Sequence, residues 1–375
     1  MKPPAFSAVG LSLLSLLLLV LAAVARLAGQ APAAQLVSTI PTGDDLPVVA
    51  AWAPDGQRLA YGTEKEVQRR RPPLSVEEGP IIHYPGEVWV SDLQDKPRRI
   101  LKHDFLRTRE GDFFSFAVKR LAWSPDGRKL AVEITDEKKN ILTFLLTAEG
   151  KKIHLGSSPE NSVRGYGGGW LGDSESLALL SEAVPPRLLH RVSVVRVAAG
   201  RVVPLFEGST FAAVAWLPGA QKAVLVERDP EFARPPRLVV GDLESGRLES
   251  LGELSEGYLG GLQVAPDATK VSYFVGQQKL AMCSLTPDAP VEYWPIPFGR
   301  YAWAGTRGAV LFIEPKELGR RTGWLTLYDP GQDRKQRVLA EELIQDFWVA
   351  ADGERVAVLT SGLKPALKVY ELTAK

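Results

Sequence analysis

The chain has 375 residues, with 45 Lys and Arg against 44 Asp and Glu, four His and a single Cys. That balance argues against a nucleic-acid partner, which needs a clear basic excess, and one cysteine excludes an internal disulfide. Apolar residues make up 45% of the sequence, ample for a core of repeated units.

Residues 1–33 differ in kind from the rest. Lys2 precedes a Leu-rich apolar run from Leu11 to Ala25, and small residues follow at Ala23-Val-Ala25 and Ala31-Pro-Ala33. This is the layout of a secretory signal peptide. The other reading is an uncleaved membrane anchor, since residues 8–25 just reach the length of a span. No Cys lies near the run, so lipid attachment to a cysteine is not expected. Both readings place residues 34–375, expected to be one domain, in the periplasm or outside the cell.

Gln35-Leu-Val-Ser-Thr-Ile40 reads as an outer strand with no unit of its own. After it, one hairpin recurs. Its sharpest copy is Trp123-Ser-Pro-Asp-Gly127, in which Pro presets the turn, Asp suits its second position and Gly takes the left-handed residue. Trp52-Ala-Pro-Asp-Gly56 and Val349-Ala-Ala-Asp-Gly353 are close copies; the anchors Trp170, Trp216, Val264 and Trp303 begin degenerate ones. The anchors are spaced 71, 47, 46, 48, 39 and 46 residues apart. Most of these match a four-stranded propeller blade of roughly 40–50 residues.

An apolar strand follows most anchors after about 20 residues, as in Val88-Trp-Val90, Val192-Ser-Val-Val195 and Leu238-Val-Val240. A weaker strand follows that, as in Arg98-Arg-Ile-Leu101 and Gln336-Arg-Val-Leu339. Each unit therefore holds four strands, here A to D, with A carrying the anchor. The C-terminal unit stops after its C strand, so residues 35–40 are expected to supply its D strand and close a ring, which removes exposed sheet edges. The long first spacing carries an insertion between strands B and C, residues 63–86.

The Trp-Ser-Pro-Asp-Gly hairpin with its following apolar strand resembles the repeat of TolB-like β-propellers and of the propeller half of prolyl-oligopeptidase-type peptidases. The resemblance covers nearly all of the chain after residue 34. It implies an all-β, seven-bladed propeller, within a range of six to eight blades. It does not fix a function, because the fold hosts many. Residues 35–50 are not expected to hold the α/β domain of TolB, and no hydrolase domain is expected after the repeats. No nucleophile elbow or His-Glu-x-x-His motif is present.

The expected function is a non-catalytic platform for an envelope protein or peptide, with no cofactor or metal and a monomeric chain. The alternative is a hydrolase or lyase acting on a sugar or lactone in the central channel. Candidate partner-binding residues lie on B–C loops and D-to-A connectors, which share one face. Arg69, Arg70, Arg71, Arg187, Arg234, Arg237, Arg320 and Arg321 flank the starts of C strands, several beside Pro-Pro. Arg pairs bidentately with carboxylate and phosphate. His83, Tyr84, Arg164 and Tyr166 share the same face. The competing expectation is a solvated, salt-bridged loop surface neutralised by acids such as Glu207 and Glu253. The glycine run Gly165-Tyr-Gly-Gly-Gly169 reads as a connector, and Cys283 as a packed thiol.

Overall fold

The computed structural model describes residues 34–42, 45–64, 67–69, 81–83, 86–102, 116–136, 141–155, 163–181, 190–217, 219, 221–229, 231, 233–254, 257–305, 308–317, 322–339, 342–362 and 364–372. Their regular structure is all β, with no α-helix among the described residues, and twenty-eight strands fall into four-stranded units. The leader lies outside the described residues.

Strand β1 (Ala34–Ile40) stands apart in sequence from the sheet it joins. The first unit is β2 (Leu46–Trp52), β3 (Leu59–Glu64), β6 (Gly86–Ser91) and β7 (Arg98–Leu101); between its middle strands β4 (Val67–Arg69) and β5 (Ile81–His83) form a separate ribbon. The insertion therefore has paired strands of its own. Next come β8 (Phe116–Trp123), β9 (Lys129–Asp136), β10 (Ile141–Thr147) and β11 (Lys152–Ile153), with β12 (Val163–Arg164) also on β10. Then follow β13 (Tyr166–Trp170), β14 (Ser176–Ser181), β15 (Arg191–Arg196) and β16 (Arg201–Leu205). The fourth sheet is β17 (Phe211–Trp216), β18 (Lys222–Glu227), β19 (Arg237–Asp242) and β20 (Leu248–Glu253). The fifth is β21 (Tyr258–Val264), β22 (Lys270–Val275), β23 (Lys279–Ser284) and β24 (Glu292–Trp294). Last come β25 (Tyr301–Trp303), β26 (Val310–Pro315), β27 (Gly323–Asp329) and β28 (Arg334–Arg337), then β29 (Ile344–Val349), β30 (Arg355–Thr360) and β31 (Leu367–Leu372).

β31 pairs antiparallel with β1, from Ala34 opposite Leu372 to Ile40 opposite Leu367, with a bulge at Val37. The strand that opens the described chain thus completes the sheet that closes it.

Burial follows position in each sheet. Second strands are buried nearly throughout, as in Leu59-Ala-Tyr-Gly-Thr63 and Ala223-Val-Leu-Val226. They are covered on both faces by neighbouring units, so they read as continuous apolar runs rather than alternating ones. Each fully buried Leu, Val or Phe contributes about 1.5–3 kcal/mol. Outer strands such as Arg334-Lys-Gln-Arg337 are mostly exposed.

The turn between the first two strands repeats even where its sequence does not. The residue after each anchor donates its N–H to the carbonyl five residues on: Ala53 to Arg58, Ser124 to Lys129, Leu171 to Ser176, Leu217 to Lys222, Ala265 to Lys270, Ala304 to Ala309 and Ala350 to Arg355. Asp55, Asp126, Asp173, Asp267 and Asp352 each accept from the N–H two residues later. The left-handed position holds Gly56, Gly127 and Gly353, but Ser174 at φ 55° and Ala268 at φ 57°. The Asp and the closing pair keep the turn shape where Gly is missing.

Candidate functional site

The lead strands adjoin one another, β2 beside β8, β8 beside β13, β17 beside β21, β25 beside β29, and β29 beside β2. Hydrogen bonds from Trp216 to Gly167 and from Tyr301 to Gly261 join the remaining neighbours. The lead strands therefore surround one axis.

The anchor Trp residues bind unit to unit. Trp52 Nε1 donates to the Trp348 carbonyl at 2.9 Å, Trp123 to Ala51 at 3.1 Å and Trp170 to Ala122 at 2.9 Å. Each acceptor lies one residue before the anchor position of the preceding unit. Trp216 reaches back to Gly167 at 2.7 Å, because β13 bulges between Tyr166 and Gly169. Its indole lies on Gly169, where a Cβ would stand 2.1 Å from the ring. The glycine run, expected as a connector, is thus the lead strand β13 itself, and Gly169 is the seat of a tryptophan.

At the turn end of the axis, cations complete a collar. Arg355 donates to the Gly56 carbonyl at 2.7 Å, Arg58 to Gly127 at 3.1 Å and Lys129 to Ser174 at 3.0 Å. Arg58 also lies over the Trp123 ring, 5.1 Å from its centroid. Arg58, Lys129 and Arg355 occupy equivalent positions, so one repeat position serves both its own turn and the next unit.

The opposite end, where lead strands begin, carries half-buried charge. Arg120 on β8 faces Glu133 on β9, and Glu133 Oε2 accepts the Gly167 N–H at 2.7 Å from the next unit. Burial raises the Glu133 carboxyl above its usual range, while that N–H and the Arg120 charge pull the other way. Arg300 Nε pairs with Asp346 Oδ1 at 2.8 Å, and its Nη2 donates to the Phe347 carbonyl at 3.0 Å. Burial raises Asp346 as well, against Arg300. Glu64, at the end of β3, is raised by burial and countered by Lys119. Tyr258, the first residue of β21, has its phenol pushed up to about 12 by burial. The signal was present: Lys119-Arg120 and Asp346 interrupt otherwise apolar strands.

Of the expected partner-binding residues, Arg234 is exposed before β19, and Arg237 opens β19. Arg237 Nη2 pairs with Glu227 Oε2 at 2.6 Å across its own sheet, and Ser209 Oγ donates to the other oxygen of Glu227 at 3.1 Å. Arg69 and His83 lie on the β4–β5 ribbon, Arg164 on β12 and Tyr166 on β13. Arg70, Arg71, Tyr84, Arg187, Arg320 and Arg321 lie outside the described residues. Cys283 is buried on β23, and burial pushes its thiol up to about 11.

No protein-family model matches the chain, and no curated protein matches it in sequence. Solved structures do resemble it. The β-propeller domain of Cps50 (Swd1) from Myceliophteria thermophila superposes with a TM-score of 0.59 at 13% identity, covering 91% of this chain and all of that domain. An oligogalacturonate lyase in complex with manganese gives 0.58 at 13% identity, covering 86% and 88%. TolB from Acinetobacter baumannii gives 0.41 at 16% identity over 66% of this chain and 54% of that one. The fold is a β-propeller.

Within this propeller, antiparallel order places the start of every lead strand beside the B–C connection of its own sheet and the D-to-A connector that enters it. Leu46 and Leu259, at the starts of β2 and β21, are exposed there, as is Phe298 before β25. Among the described residues no three His, Cys, Asp or Glu side chains gather as metal ligands. The described arrangement offers apolar contact, paired charge and backbone groups around the mouth of the axis.

Proposed function

We propose that the chain is a seven-bladed propeller, exported by its leader to the periplasm or beyond the cell, that binds an envelope protein or peptide. The reading treats residues 34–375 as one domain and residues 1–33 as a signal peptide. The recurrence of the anchor turn at Ala53, Ser124, Leu171, Leu217, Ala265, Ala304 and Ala350 supports the blade count.

The asymmetry of the two ends carries the binding reading. One end is a collar of turns five or six residues long, such as 124–128 and 304–309. At the other, consecutive strands are separated by longer stretches of sequence, as between β3 and β6, β7 and β8, and β14 and β15. Long loops on a rigid scaffold are where binding residues concentrate. Arg237 shows how an arginine there is held: its ion pair with Glu227 ties the guanidinium to the end of the neighbouring strand, while about half of the side chain stays exposed, 47%. Arg69, Arg70, Arg71, Arg187, Arg234, Arg320 and Arg321 extend that rim, and His83, Tyr84, Arg164 and Tyr166 lie along it.

Capture from envelope extract tests the rim. Replacing Arg70, Arg187, Arg237 and Arg321 together by Ala should leave folding intact and make capture weaker and less sensitive to salt. Equal capture by the variant rejects the rim. The half-buried carboxylates Glu133 and Asp346 beside the axis favour a second reading, turnover of a sugar or lactone in the channel. Activity on such a substrate that disappears in an E133Q/D346N double variant would establish that reading instead.

A further inference from the structure

Outer strands of a sheet expose unpaired N–H and C=O groups, and proteins guard them with short length, charge or Pro. Six of the outer strands here follow that rule. β7 carries Arg98 and Arg99, β11 is two residues long, and β16 contains Pro204. β20 carries Glu249 and Glu253, β24 is three residues long and starts at Glu292, and β28 is Arg334-Lys-Gln-Arg337.

β1 departs from it. It is seven residues long, Ala34-Gln-Leu-Val-Ser-Thr-Ile40, without a charge or a proline. Leu36 and Val37 are 49% and 46% exposed, and among the described residues β1 pairs only with β31. Its one guard is the bulge at Val37, which divides the edge into two short stretches.

We propose that β1 pairs edge to edge with β1 of a second copy of this chain, antiparallel about a twofold axis. An edge of this chemistry accepts an uncharged extended strand with β-branched and apolar side chains. β1 is itself such a strand. Its lack of charge means that twofold pairing sets no like charges opposite each other, as it would on β7 or β28. Leu36 and Val37 then cover each other across the axis. The surface lies on the outer rim, away from the loop face, so its test is independent of the partner reading above.

Sedimentation of the purified protein over a range of concentrations should show a monomer–dimer equilibrium. Val37→Lys and Val37→Glu, each at an exposed side chain, should weaken dimerisation at least about tenfold, the effect of roughly 1.4 kcal/mol. Val202→Lys on β16, equally exposed, should leave it unchanged. Mixing the Lys and Glu variants should restore dimers, because their charges then oppose across the axis. A wild-type chain that stays monomeric throughout overturns the proposal, as do dimers that persist in the Lys variant. A mixture that stays monomeric, or a monomer that instead takes a strand from another protein, overturns it equally.

Discussion

Two arcs of the ring are joined by different chemistry. From β29 through β2, β8 and β13 to β17, every junction is closed by the same atom in the same role, an indole Nε1 donating to the preceding lead strand. From β17 through β21 and β25 back to β29, no junction uses it among the described residues. Val264 replaces Trp in β21. Trp303 in β25 is buried against Trp294, its Nε1 without a hydrogen-bond partner. The β21–β25 junction relies instead on Tyr301, whose hydroxyl bonds the Gly261 carbonyl and lies 2.9 Å from Ser272 Oγ, and on Gln263 Nε2 donating to the Tyr301 carbonyl at 2.9 Å. The β25–β29 junction relies on Arg300. The comparison separates the two halves of the repeat motif. Pro-Asp-Gly chemistry holds a turn within its own unit, whereas the Trp holds the neighbour. A unit can lose either half and keep its place.

The largest expected effect comes from removing the closure. Deleting residues 34–40 leaves the β31 edge unpaired and uncovers the apolar cluster that holds Ile40, Leu367 and Val369. Each lost buried backbone partner costs about 1–3 kcal/mol, so the melting temperature should collapse; an unchanged melt would remove β1 from the account of stability.

Within the indole-joined arc, Trp123→Ala should cost about 3–5 kcal/mol, read by denaturant unfolding. In the other arc Tyr301→Phe is the matching break. It keeps the ring and strands the Gly261 and Ser272 groups, at about 1–3 kcal/mol. A loss under half a kcal/mol would mean that apolar packing alone joins β21 to β25.

A finer contrast uses one substitution twice. Trp123→Phe should cost about 1 kcal/mol more than its lost volume requires, since it deletes a made hydrogen bond, whereas Trp303→Phe deletes an unmade one and should gain back part of what it loses. Paired unfolding curves decide it, and equal losses at the two sites would erase the distinction between the arcs.

The smallest effect lies in the turns. Ala268→Gly relieves a left-handed alanine worth roughly 1–2 kcal/mol of strain against Gly's entropic cost of about 0.5–1 kcal/mol, so a gain of up to about 1.5 kcal/mol should appear in the melt. The same substitution logic at Ser174 is offset, because its hydroxyl accepts the Asp126 N–H at 3.1 Å.

The hairpins were legible because they are local. Turn residues and the apolar strands that flank them act within a dozen positions, so their period and even the unpaired strand at residues 35–40 could be read from spacing. The charged mouth was less legible: Arg120 and Asp346 sit on strands whose averages are apolar, and their partners Glu133 and Arg300 lie 13 and 46 residues away. For the arginine rim, only Arg237 has a described side-chain contact, and its carboxylate partner Glu227 lies on the neighbouring strand rather than on a connector.

By itself the sequence determined the repeated unit, since turn chemistry and the apolar runs that mark strands are local. Only the tertiary structure decided how units meet. Whether an indole finds a carbonyl, as Trp123 does and Trp303 does not, depends on the backbone of another unit. A glycine whose role looks like flexibility, as at Gly169, is fixed by a side chain arriving from 47 residues away. Contacts of that range leave a periodic trace only where one residue type recurs in the role, as the anchor Trp does in one arc; in the other arc Tyr301, Gln263 and Arg300 take it from different positions, so no spacing marks them.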